Sequence, residues 1–302
     1  MSNSLITIIG PTAIGKTSLS IDIANHFDCD ILSCDSRQFY KELLIGTAPP
    51  SPEEQAQTKH YFIHDRSIFD DYSVGDYEDD AISLLDKIYE KKDKAILIGG
   101  SGLYVDAVLK GFDKFPDIDP EVRINLQKEL EEKGLEYLQE QLIKLDEEYS
   151  KIVDIKNPQR VIRALEVCIG TGKTFTEFRV REAKQRNFTP IKIGLNIDRD
   201  KLYERINLRV DLMMEAGLLD EAKKMYPHKA TNSLQTVGYR ELFRYFDGEF
   251  TLEFAISEIK KNTRRFAKRQ LTWFRKDKEI KWFNPSDKEE IIDYIEYQLN
   301  EN

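Results

Sequence analysis

The stretch Gly10-Pro11-Thr12-Ala13-Ile14-Gly15-Lys16-Thr17 carries two glycines, a lysine and a hydroxyl at the spacing G-x-x-x-x-G-K-[ST]. Glycines let a backbone wrap an anion with its N–H groups turned inward, the helix that follows adds the positive end of its dipole, and Lys16 adds a whole charge. The chemistry is that of a held phosphate or diphosphate, with Thr17 placed as a hydroxyl ligand for Mg2+. A second run, Gly170-Thr171-Gly172-Lys173-Thr174, copies only the end of the pattern, because Val167 stands where the first glycine is required. It follows helical sequence instead of a strand and reads as a helix C-cap.

A phosphate-binding loop alone fits nucleoside triphosphate hydrolysis or a nucleotide or metabolite kinase. Other residues decide between chemistries. An ATPase usually ends an apolar strand on an acidic residue, yet Ala95 to Ile98 runs into Gly99-Gly100-Ser101-Gly102. The acid stands instead at Asp35, just after the apolar run Ile31–Ser33, at the carboxyl end of a predicted strand where open α/β sheets collect ligands. Two roles suit it. Asp35 can take a proton from an incoming nucleophile while Lys16, Mg2+ and the loop stabilise a departing diphosphate, or it can bridge Mg2+ or cap the turn.

These residues need a scaffold that presents strand ends side by side. Leu5 to Ile9 predicts a strand, Lys16 to Phe27 a helix, and Ile31–Ser33 and Ala95–Ile98 two more strands, each followed by a loop and helical pattern. The expected fold class is α/β, a parallel sheet flanked by helices. Between Phe112 and Pro190 the strand signal disappears. Pro116 and Pro120 punctuate the entry, Val122 to Tyr149 reads as charged helices broken near Gly134, and a further helix runs from Gln159 to Ile169 and stops at Gly170. Strand character returns at Ile191 to Ile197, and from Lys201 onward helices alternate with short loops. Residues 1–112 and 191–302 are thus expected to form one core, and 113–190 a helical insertion.

The 302 residues are 40% hydrophobic and 33% charged, with no apolar run near the ~20 that span a membrane and no charged-then-apolar leader. A cytoplasmic monomer without a membrane partner is the expectation. Cys29, Cys34 and Cys168 make neither a disulfide framework nor a zinc pattern, so they are expected to be reduced and buried. The net charge of −9 disguises an uneven distribution. Glu53 to Asp93 holds 12 acidic and 5 basic residues and Asp113 to Asp154 holds 13 and 6, whereas Lys156 to Lys192 has 9 basic against 3 acidic and Ala255 to Phe283 has 10 against 3. Two basic segments in an acidic chain leave room for a nucleic-acid partner.

Beyond the phosphate-binding loop, Asp35-Ser36-x-Gln38-x-Tyr40, Gly46-Thr47-Ala48, Gly99-Gly100-Ser101-Gly102-Leu103-Tyr104 and Thr263-Arg264-x-x-Ala267-Lys268-Arg269-Gln270-x-Thr272-Trp273-Phe274 follow in order over nearly the whole chain. Together they resemble the bacterial tRNA isopentenyltransferase (dimethylallyltransferase) family. The resemblance implies that the loop binds dimethylallyl diphosphate in place of ATP, helped by Arg209 and Mg2+. It implies that Asp35 is the general base at the exocyclic amine of the adenosine just 3′ of the anticodon, with Lys16, Thr17 and Ser101 completing the catalytic set. Contacts to the tRNA anticodon arm are implied for Asp35, Ser36, Arg37, Gln38, Ser101, Arg123, Gln159, Arg160, Val161, Ile162, Arg163, Gln235, Thr236, Val237, Gly238, Tyr239 and Arg240. The family usually carries serine where Ile14 stands, lysine where Pro49 stands, a His-His pair at His60-Tyr61, and threonine at Ser101. The pairs Trp273-Phe274 and Trp282-Phe283 could stack on bases but are read as packing residues. His26 and His228 are isolated and suggest no metal site.

Overall fold

The long β-branched runs become the centre of one parallel sheet. A computed structural model describes residues 3–179 and 184–301. Its strands are β1 (Asn3–Ile9), β2 (Asp30–Ser33), β3 (His60–Tyr61), β4 (Lys94–Gly99), β5 (Phe188–Leu195) and β6 (Lys281–Phe283), in the order β3-β2-β4-β1-β5-β6, with every pairing parallel. Ile6 of β1 lies between Ile96 of β4 and Ile191 of β5.

Burial on both faces explains why these strands read as apolar runs instead of alternating ones. The pleat sends Ile6 and Ile8 to one face, where helices Lys16–Phe27 and Lys288–Glu301 cover them with Leu19, Ile23, Ile291 and Ile295. Leu5 and Ile9 go to the other, under Tyr77, Leu85 and Val105 of helices Val74–Tyr89 and Gly102–Lys110. A third cluster packs Val210, Leu218, Tyr239, Leu242 and Ile259 from four helices within residues 199–274.

By its internal contacts the chain forms two units, one running through Lys110 and resuming at Gln185, the other spanning Gly111–Lys184. The second is helical, built on helices Pro120–Leu145 and Pro158–Thr171 around Leu138, Leu142, Ile162 and Leu165. Gly134, at φ 81°, breaks the first of these helices. Gly172, at φ 70°, caps the second by donating to the Cys168 carbonyl, so the lysine-bearing copy of the loop motif is a C-cap and the helix runs two residues past its predicted end at Ile169.

Two sequence expectations differ from the structure. The insertion was drawn to Pro190, but β5 begins at Phe188 and places Phe188–Pro190 in the core. Proline is tolerated there because β6 pairs only with Ile193–Leu195, so Pro190 has a strand neighbour on one side alone. The short strands β3 and β6 were missed, being only two and three residues long, too brief to show a period. All three cysteines are free and buried, and among the described residues no helix is long and apolar enough to cross a membrane.

Candidate active site

The phosphate-binding loop leaves β1 at Gly10, where a side chain would press within 2.9 Å of the Leu195 carbonyl on β5. Ala13 (φ 63°) and Gly15 (φ 101°) take left-handed conformations that turn the chain into helix Lys16–Phe27. Ile14 is fully buried and packs into the core, and its carbonyl accepts from Arg205 Nη1 at 3.1 Å. The Lys16 ammonium folds over the loop and donates to the carbonyls of Gly10 (3.0 Å) and Pro11 (2.9 Å).

Burial pulls the Lys16 ammonium down to about 8, with the Arg209 cation adding to the effect and Asp35 and Cys34 opposing it. Arg209 is likewise lowered, first by burial, with Asp35 again opposing, and its Nη2 donates to the Ala48 carbonyl at 3.4 Å. Two cations and a carboxylate from distant parts of the chain therefore sense one another's charge.

A pH dependence follows. Only charged Lys16 attracts an anion, and in the free protein it is half neutral near pH 8, so diphosphate affinity falls as pH rises through that value. The ratio of the Lys16→Ala to the wild-type dissociation constant, in which the ligand's own titration cancels, is expected to be level below about pH 7 and to fall toward tenfold per unit above about pH 8. Calorimetric titration of both proteins with inorganic diphosphate checks this, and a ratio unchanged to about pH 9.5, where an ordinary lysine is still charged, would refute it.

Asp35 sits two residues beyond β2, its Oδ1 accepting the Arg37 N–H at 3.1 Å and its own N–H donating to Ser33 Oγ at 3.3 Å. Ser101, two residues beyond β4, accepts the Ser36 N–H at 3.2 Å and donates to Ser36 Oγ at 3.2 Å. Arg37 spans to the carbonyls of Asn232 and Ser233, and Gln38 Nε2 to those of Thr47 and Ala48. The turn bearing Asp35 is thus fastened on three sides.

A cleft of about 520 Å3 opens over these groups, lined among others by Thr12, Asp35, Ser101, Arg209, Arg240 and Gln270. Gln235 to Gly238 also reach it. Tyr239 does not: it is fully buried and its hydroxyl donates to Glu221 Oε1 at 2.6 Å. In the helical unit Val161 and Ile162 are fully buried, because they occupy the apolar face of their helix, so these three side chains pack the core and cannot meet RNA directly. Arg123 Nη1 (3.1 Å) and Arg163 Nη1 (3.2 Å) converge on the buried carboxylate of Glu166, and Arg123 Nη2 reaches Gln159 Oε1 at 3.2 Å, leaving Arg160 exposed beside them. None of Ile14, Pro49, His60 and Tyr61 lines the cleft.

Two working residues were given no role by the sequence reading, although Gln270 stands in a motif that carries the resemblance. Gln270, 6% exposed, accepts the Thr12 N–H at 2.9 Å and donates to the Gly100 carbonyl at 3.0 Å, tying the phosphate-binding loop to the turn that carries Ser101. Gly100 makes this possible, since a Cβ there would stand 2.2 Å from Gln270 Nε2. Glu221 is buried and accepts the N–H groups of Leu44 (2.8 Å), Ile45 (2.8 Å) and Gly46 (2.9 Å), fixing the loop that carries Ala48. Of the aromatic pairs, Phe274 and Phe283 are buried and Trp282 is half-buried, but Trp273 is 37% exposed and lines the cleft, against the packing role expected of it.

The model of the IPP transferase family matches residues 38–277. The chain is 60% identical over 298 residues to the tRNA dimethylallyltransferase of Flavobacterium johnsoniae, covering 96% of each protein. It is 58% identical over 301 residues to the tRNA dimethylallyltransferase of Christiangramia forsetii, covering 99% of this chain and 100% of the relative. Among solved structures it is similar to the full-length tRNA isopentenylpyrophosphate transferase of Bacillus halodurans, with a TM-score of 0.74 and 38% identity, over 99% of this chain and 97% of that one.

Proposed function

The chain belongs to the IPP transferase family, and we propose that its cleft is where a dimethylallyl group passes from dimethylallyl diphosphate to tRNA. The acceptor is the exocyclic amine of the adenosine 3′-adjacent to the anticodon, and diphosphate is released. The observation that carries the assignment to this cleft is that Thr12 of the anion loop, Arg209 and a single carboxylate, Asp35, line it together, with Lys16 buried behind the loop and close enough to sense both charges.

In the proposed mechanism the loop Gly10 to Thr17 cradles the diphosphate, chiefly through the backbone N–H groups of Ala13 to Thr17, because Pro11 has none and that of Thr12 is held by Gln270, while Lys16 and Arg209 neutralise it. The amine nitrogen forms a bond to C1 of the dimethylallyl group, the C1–O bond breaks with its electron pair going to diphosphate, and the amine proton passes to Asp35. Ser101 holds the Asp35 turn through Ser36. Thr17, whose hydroxyl follows Lys16 at the start of helix Lys16–Phe27, would be the residue that holds Mg2+ beside the diphosphate. When bound it would offset charge on the leaving group. Arg123, Gln159, Arg160 and Arg163 of the helical unit, together with Arg37, Gln235 and Arg240, supply polar and cationic groups for the anticodon arm. A splayed single-stranded loop offers base edges that a duplex hides, and its target base must be turned out to enter a cleft.

The test is incubation with radiolabelled dimethylallyl diphosphate, Mg2+ and tRNA, beside a parallel reaction with γ-labelled ATP. Label entering RNA from the prenyl donor alone is the expected result. Phosphoryl transfer from ATP with no prenylated RNA would overturn it.

A further inference from the structure

Helix Leu252–Phe274 and the residues just after it repeat one unit: an aromatic followed three positions later by a cation, first Phe266 with Arg269, then Trp273 with Lys276. The Arg269 guanidinium lies 5.7 Å from the Phe266 ring centroid, and Lys276 Nζ lies 5.7 Å from that of Trp273. The two units are seven residues apart, nearly two turns, which sets them on one face about 10 Å from each other.

Both rings are partly exposed, Phe266 at 38% and Trp273 at 37%, and both line the cleft above Asp35, as does Arg269. Trp273 is also held in place. Its Nε1 donates to Asp106 Oδ2 at 2.9 Å, and its ring lies so close over Gly102 that a Cβ there would be 2.3 Å away. Earlier on the same helix three cations are already paired: Lys260 with Asp211 (2.6 Å), Lys261 with Glu258 (2.7 Å), and Arg264 donates to Asn207 (2.6 Å). Among the described residues neither Arg269 nor Lys276 has a carboxylate within 4 Å.

An exposed ring with a cation beside it can stack an unpaired base and attract the phosphate attached to it. We propose that Phe266 with Arg269 and Trp273 with Lys276 are two stacking platforms that grip the nucleotides flanking the reacting adenosine at the rim of the cleft. The inference rests on the reading of this cleft as the RNA site and adds to it which neighbours are held and how. Gripping both sides turns the adenosine inward without requiring contacts to its own sugar and phosphate.

The protein has two tryptophans, Trp273 and Trp282, so a Trp282→Phe protein reports on Trp273 alone. Titrating it with an anticodon stem-loop RNA is expected to quench Trp273 emission, and an abasic site at one flanking nucleotide to abolish most of the quench. Phe266→Ala is expected to weaken stem-loop binding roughly 5- to 100-fold, the size of one lost base–aromatic stack, while diphosphate binding stays unchanged. Combining Phe266→Ala with an abasic site at its own nucleotide should add little to either loss alone. If wild-type protein binds the stem-loop but Phe266→Ala binds it equally well, or Trp273 emission is unaltered at saturation, the platforms are refuted while the cleft remains the RNA site. If wild type binds no stem-loop, the RNA reading of the cleft fails and the platforms fail with it.

Discussion

Asp35→Asn should leave donor and tRNA binding intact and lower the single-turnover transfer rate about 10²–10⁴-fold, the usual contribution of a positioned general base. The substitution keeps the size of the side chain and one acceptor oxygen, so the bond from the Arg37 N–H that orients it can persist. What it removes is the proton acceptor beside the two buried cations, Lys16 and Arg209. A metal-bridging role for Asp35 makes a different demand: the defect would then appear as weakened Mg2+-dependent diphosphate binding, partly reversed by more Mg2+. Rapid-quench measurement with all substrates saturating separates the two. A rate within about threefold of wild type, with transfer rate-limiting, would refute the base assignment.

The second large effect is expected on stability. Glu221→Ala would remove one buried carboxylate from three backbone N–H groups and the Tyr239 hydroxyl, stranding four donors in the packed cluster around Leu218 and Leu242. Burial, reinforced by Glu221, pushes the Tyr239 phenol far up, so it remains a donor throughout the working range. Losing a network of this kind typically costs about 3–5 kcal/mol, against about 1–2 kcal/mol for Tyr239→Phe, which removes a single donor and strands none. Urea unfolding of both variants provides the comparison. The surviving folded protein should also bind diphosphate less tightly, because the Gly46–Ala48 loop supplies the carbonyl that Arg209 uses. A Glu221→Ala protein within about 1 kcal/mol of wild type would mean that solvent or other groups satisfy these donors.

What could be read from the sequence was what short stretches of backbone decide for themselves. The loop from Gly10 to Thr17 was legible because its chemistry lies in eight consecutive residues, with a strand before and a helix after. The sheet was legible at β1, β2, β4 and most of β5, where short runs rich in isoleucine and leucine between turn signals fit strands covered on both faces. The helical unit showed itself by the loss of that signal, and Asp35 by its place just beyond a strand. The chemistry of the cleft was therefore available before its shape.

Only the tertiary structure decided which distant residues complete it. Gln270 meets Thr12 across 258 positions and Glu221 meets Gly46 across 175, and nothing local to either residue marks the encounter. Helical periodicity tells which side of Leu252–Phe274 is buried, but not that Gln270 lands between two strand ends while Phe266 and Trp273 remain on the rim. Tyr239 and Trp273 exchanged their expected places for this reason: side chains that suit a core and a base equally well are sorted by the neighbours that folding brings to them, here a carboxylate for Tyr239 and an open cleft for Trp273.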